Sequence, residues 1–180
     1  MEGASTLPSP IPYGTAVSHG DTHILTFQPA FPQPVEDVWQ AVATPEGLPT
    51  WLAAADPFEQ HEGGAITLRW LNTDEQGEST VAPGQVTAWG PNRLAEYTVD
   101  LHGRVRFDLS PAPDAPGTRL HFTNEFTGPT RERLSRLAGW HHHFEYLVDA
   151  LAGRPADWST WNLDRWRTLY GAYERGARGA

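Results

Sequence analysis

Residues 130–152 read TRERLSRLAGWHHHFEYLVDALA, and this stretch decides the fold. Leu137, Trp140, Phe144, Leu147, Val148 and Leu151 recur at helical spacing, so they form one apolar stripe, and Gly153 ends the run. A helix of about 23 residues is roughly 34 Å long at 1.5 Å per residue, enough to cross a whole sheet. The preceding residues supply that sheet. Ile66, Leu68 and Trp70 alternate after Gly63-Gly64, and NTDEQG over 72–77 is turn chemistry. STVAPGQVTAW over 79–89 makes the next strand, with a bulge predicted at Pro83-Gly84. Ala95, Tyr97, Val99 and Leu101 then share one face, as do Val105, Phe107 and Leu109, and after the PAPDAPG turn Leu120, Phe122 and Phe126. Strands of this kind, each with one apolar face, form an antiparallel meander covered on one side. The long helix is the cover.

Upstream, HILTFQPAF over 23–31 alternates with period two and predicts a first strand ending in the prolines. Pro34, Glu36 and Asp37 suit the start of a helix carrying Val35, Val38, Trp39 and Val42. PEGLPTWLAA over 45–54 predicts a second short helix. Residues 1–20, rich in proline and glycine and without a hydrophobic period, predict a flexible arm. They also lack the basic and apolar regions of a signal peptide. Residues 21–153 form the expected domain. Residues 154–180 form an extension in which Trp166, Leu169, Tyr170 and Tyr173 predict a last helix outside the main core.

Composition narrows the chemistry. The 180 residues include no cysteine, which excludes disulfides, a thiol nucleophile and thiolate metal ligands. All 13 basic residues are arginine, so a lysine Schiff base is excluded as well. The formal charge is −9 and residues 1–130 carry most of the excess acid, which repels nucleic acid and anionic membrane. No apolar run is long enough to insert into a membrane, and a cytoplasmic location is expected. At this size a single core needs no metal or covalent staple.

The order strand, two short helices, antiparallel strands and one long C-terminal helix resembles the helix-grip superfamily, which includes the START lipid-transfer domains. PAFPQPVEDVWQAVATPEGLPTWL, GQVTAWGPNRLAEYTV, GTRLHFTNEF and LAGWHHHFEYLVDAL are similar to the bacterial branch related to the heat-shock protein 90 ATPase activator C-terminal domain. The resemblance implies an α+β fold. A curved antiparallel sheet of about six or seven strands wraps the long helix, with two short helices after the first strand and an apolar cavity beneath. It carries no family-wide catalytic residues.

Trp70, Tyr97, Phe107, Phe122, Asn124, Trp140, Phe144 and Leu147 are the candidate ligand-binding residues of that cavity. Rings this bulky either line a space or fill it. Asn124 shares the inward face of Leu120 and Phe122, so its amide needs a partner, from a ligand or from the protein. His141, His142 and His143 diverge by 100° per residue and cannot all bind one ion; no metal or cofactor is expected. His142 points away from the apolar stripe, and His141 or His143 reaches a pocket rim. Glu96 and Glu125 alternate outward with Arg104, Arg106 and Asp108, and only a register shift would turn them into buried acids. Three functional readings follow. The first is a non-enzymatic module holding a small hydrophobic or aromatic molecule. The second is a protein-interaction module like the chaperone activator, and the third is a polyketide cyclase or aromatase-like enzyme. Both monomer and homodimer are compatible with the sequence.

Overall fold

The computed structural model describes residues 10–113 and 116–178, so residues 1–9 of the expected arm and the centre of the PAPDAPG turn lie outside the described residues. Nine strands form one antiparallel sheet: β1 Thr15–His19, β2 Thr22–Phe27, β3 Ala30–Phe31, β4 Ala53–Phe58, β5 Ala65–Trp70, β6 Val81–Gly90, β7 Leu94–Val99, β8 Gly103–Pro111 and β9 Thr118–Thr127. Their order is β1-β2-β9-β8-β7-β6-β5-β4, with β3 also pairing β9. Among the described residues three α-helices accompany the sheet: α1 Val35–Ala43, α2 Glu132–Leu151 and α3 Asp164–Arg178. The curved sheet and the long C-terminal helix α2 make the helix-grip architecture. Among the described residues no helix is long and apolar enough to cross a membrane.

The sheet has more strands than the six or seven expected, for two physical reasons. Thr15–His19 pairs with β2 as an edge strand whose residues alternate between exposed and half-buried, so no buried apolar face marks it in the sequence. The segment read as an arm therefore reaches into the sheet. The predicted second helix shrinks to a single 3₁₀ turn at Leu48–Thr50, and Ala53–Phe58 becomes β4. Ala53 and Ala55 are its buried residues, and alanine favours a helix when read alone.

Two further expectations are corrected. The bulge falls between Val86 and Ala88, whereas Pro83 and Gly84 pair in register with Thr67 and Ile66. Gly84 is needed there because a Cβ would run into the Thr98 carbonyl of the neighbouring strand. Leu101 does not join Ala95, Tyr97 and Val99 inside: it sits in the β7–β8 turn at φ 64° and is 70% exposed.

The core lies between sheet, α1 and α2. Facing pairs Phe107–Phe122 and Leu109–Leu120 on β8 and β9, with Phe27 opposite Phe122 on β2, put one apolar layer under the helices. Trp51, Tyr97, Phe27, Phe107, Phe122 and Phe144 are all buried to within 1%. Burial of six large rings, at about 150–250 Å² each, supplies much of the hydrophobic driving force. The tryptophan and tyrosine polar ends are paired: Trp51 Nε1 donates to the Ala41 carbonyl and the Tyr97 hydroxyl to the Val42 carbonyl, both at 2.8 Å. The residues after α2 return along its outer side. There Trp158 Nε1 donates to the Pro49 carbonyl, Trp161 Nε1 to the Thr73 carbonyl and Trp166 Nε1 to the Ser135 carbonyl. Three indoles thus pin the extension to three different parts of the domain.

Candidate functional site

The eight candidate residues divide into two groups. Phe107, Phe122 and Phe144 pack on one another with ring centroids 4.9–5.2 Å apart between neighbours, and Tyr97 and Leu147 are equally buried. These rings fill the centre beneath the sheet. Asn124 is also fully buried, and every polar atom of its amide is used by the protein. Its Nδ2 donates to the carbonyls of His102 (2.7 Å) and Arg104 (3.1 Å), while its Oδ1 accepts from Trp140 Nε1 at 3.0 Å. Of the two sources of a partner open to the Asn124 amide, ligand or protein, it is the protein that supplies them, in a bridge from β9 to the β7–β8 turn and α2. Trp70 and Trp140 are the two candidates that reach a pocket.

That pocket has a volume of about 270 Å³ and lies at the edge of the core. It is enclosed by the end of β5 with the loop after it, the β7–β8 turn, one side of α2 and the C-terminal extension. Trp70, Trp140, Trp161 and Trp166 make its aromatic walls, and Gly139 leaves the helix surface low beneath it. The His102 ring stacks on Trp70 at 3.9 Å between centroids and 8° between planes, extending one flat wall. Arg136 also faces the pocket. Its Nη2 donates to the Leu101 carbonyl at 2.8 Å and pairs with Glu132, and its guanidinium carbon sits 4.0 Å from the Phe126 ring centroid. Burial, reinforced by the Arg136 charge, pushes the His102 ring down to about 4, so it is neutral at physiological pH.

Gly139 offers a simple stability test. It lies inside α2, and a Cβ there would come no closer than 4.0 Å to Trp166 Nε1. Gly139→Ala is therefore expected to stabilise the protein by about 0.5–1 kcal/mol, read as a higher urea midpoint, because glycine disfavours helix interiors. An unchanged or lower midpoint would contradict this placement of the helix surface.

The three adjacent histidines diverge, yet all three are buried. His141 Nδ1 is 2.8 Å from the Tyr173 hydroxyl of α3, which also accepts from the Gly14 backbone N–H. His143 Nδ1 donates to the Trp51 carbonyl at 2.9 Å, which fixes its tautomer, and its ring lines the pocket. His142, on the side of α2 away from the apolar stripe, is buried because the extension covers that side: it stacks on Trp161 and Tyr146 at 4.8 and 4.9 Å. Burial lowers His141 and His143 to about 4 and His142 to about 3. Glu125 keeps its outward register and pairs with Arg104 at 2.7 Å, whereas Glu96, on the same face as Arg106, is only 7% exposed and is held there by Arg106 at 3.0 Å and the Thr87 hydroxyl at 2.7 Å.

Sequence reasoning missed Asn72, His102, Arg136, Trp161 and Trp166 as pocket residues. The spacing of Trp158, Trp161 and Trp166 in a polar extension was the available signal, since large apolar rings in such a segment need a surface to cover.

Sheet, grip helix and edge pocket define a protein of the helix-grip, SRPBCC class. The sequence profile described as "Activator of Hsp90 ATPase homolog 1-like protein" matches residues 32–152, and the chain belongs to that family. No curated relative matches the chain. Among solved structures, a conserved protein of unknown function from Enterococcus faecalis is 15% identical, with 92% of this chain and 91% of that one covered at a TM-score of 0.66. A Bordetella parapertussis protein is 24% identical, covering 94% of each chain at 0.64. CalU16 from Micromonospora echinospora is 19% identical, covering 90% and 92% at 0.64. These likenesses establish the fold. The family match stops at residue 152, so Trp161, Leu163 and Trp166 of the pocket wall come from outside it.

Proposed function

We propose that this protein is a binding module that holds one small, flat, hydrophobic or aromatic molecule in the edge pocket between α2, the β7–β8 turn and the C-terminal extension. The observation that carries this reading is the set of four tryptophans converging on one pocket of about 270 Å³. Apolar walls with a few polar groups are the usual make-up of small-ligand sites, and the volume suits a molecule of one or two fused rings. Indole faces favour offset or edge contacts with another aromatic ring. Glu96, though buried, and Glu125 are both held in ion pairs with arginine, which favours holding a ligand over acid–base catalysis.

The test uses 6-propionyl-2-dimethylaminonaphthalene, a flat probe of two fused rings whose emission moves to the blue on leaving water. One molecule per chain is expected to bind. Gly139→Leu, which fills the pocket floor, is expected to weaken binding at least tenfold while circular dichroism confirms an intact fold. Absence of binding to the wild-type chain, or binding unaffected by Gly139→Leu, would overturn the reading.

A further inference from the structure

Five buried side-chain polar atoms have no hydrogen-bonding partner among the described residues: Gln33 Oε1, Asn72 Oδ1, His102 Nδ1, Arg136 Nη1 and His142 Nδ1. Three of them belong to residues that line the one edge pocket, namely Asn72, His102 and Arg136. Buried polar groups are nearly always paired, so a concentration of orphans at one pocket marks groups that a ligand would pair. We propose that the pocket selects a neutral aromatic hydroxyl compound, such as a phenol or naphthol, with Arg136, His102 and Asn72 reading the hydroxyl group. This rests on the pocket-binding reading above.

The chemistry of the three groups sets the ligand class. Arg136 can only donate, and the Asn72 Oδ1 can only accept. A hydroxyl does both from one oxygen: its single proton goes to the Asn72 Oδ1, and its lone pairs accept from Arg136 Nη1 and from the Nδ1–H tautomer of the His102 ring. The surroundings are already committed elsewhere. The Leu101 carbonyl and Glu132 hold the other terminal nitrogen of Arg136, and Trp70 holds the face of His102, so these two side chains are fixed in place. Charge argues against a carboxylate. The rim carries Asp74 and Glu78, Glu132 already neutralises Arg136, and the chain as a whole is −9. A bare hydrocarbon would leave all three groups unpaired.

The experiment measures dissociation constants of naphthalene, 2-naphthol and 2-naphthoate at pH 7.5 by quenching of tryptophan fluorescence. It uses the wild-type chain, His102→Phe, which keeps the stack on Trp70, and Asn72→Leu. 2-Naphthol is expected to bind about tenfold more tightly than naphthalene, the equivalent of one added hydrogen bond, and more tightly than 2-naphthoate. Each variant is expected to shrink the ratio of the naphthalene to the naphthol dissociation constant. Equal affinity for naphthalene and naphthol, tightest binding of naphthoate, or a preference surviving both substitutions would overturn the proposal while leaving the pocket reading standing. Binding of none of the three would overturn the pocket reading and this proposal with it.

Discussion

Acidification from pH 6.5 to about 4 is expected to unfold the protein, with the loss beginning above the carboxylate range. His141, His142 and His143 are buried on α2, and burial holds their rings at about 4, 3 and 4 against 6.5 in an unfolded chain. Below pH 6.5 the unfolded chain therefore takes up protons that the folded one refuses. Each proton taken up favours the unfolded state, so the contribution is fully present above pH 6.5 and is lost as pH falls towards 4. At about 1.4 kcal/mol per pKa unit, a shift of this size at even one ring amounts to a few kcal/mol, a large share of a typical domain's whole stability. Urea midpoints followed by circular dichroism between pH 7.5 and 4.5 check this. His142→Phe should move the acid midpoint to lower pH. It keeps a ring against Trp161 and Tyr146 and removes a nitrogen that has no partner. Stability flat down to pH 4.5, or an acid midpoint unmoved by His142→Phe, would contradict the burial of this face of α2.

Asn124→Ala is the second large effect. The substitution leaves the His102 and Arg104 carbonyls and the Trp140 indole N–H without their partner in the core. Three buried groups at about 1–3 kcal/mol each predict a loss of roughly 3–9 kcal/mol, reduced by whatever relaxation the β7–β8 turn allows. The same turn carries His102 and positions Leu101 for Arg136, so the pocket loosens along with the fold. Chemical denaturation gives the number. A loss under 1 kcal/mol with reduced ligand affinity would instead make Asn124 a ligand contact.

Much of this architecture was legible because period and position agree. The alternation of Val105, Phe107 and Leu109, and of Leu120, Phe122, Asn124 and Phe126, placed these residues on the core side of β8 and β9, where they are all buried. The stripe Leu137, Trp140, Phe144 and Leu147 did the same for α2. Elements without such a pattern were not legible. β1 buries no apolar face, and β4 relies on alanines that suit a helix equally well. The site was legible only in part. Inward residues were correctly inferred, but whether large rings line a space or fill it depends on how they interlock, and here Phe107, Phe122 and Phe144 fill it. The open volume moved to the edge, where Trp161 and Trp166 return from far along the chain. No local pattern encodes that contact, just as none marks His142 as buried.

The most direct measurement is fluorine NMR of protein labelled with 5-fluorotryptophan, which reports all eight tryptophans at once, during titration with 2-naphthol. The resonances of Trp70, Trp140, Trp161 and Trp166 are expected to shift together and saturate, while those of Trp39 and Trp51, buried in the filled core, stay in place. A largest shift at Trp51, or no saturable shift at any of the four pocket tryptophans, would contradict a ligand site at the edge of a solid core.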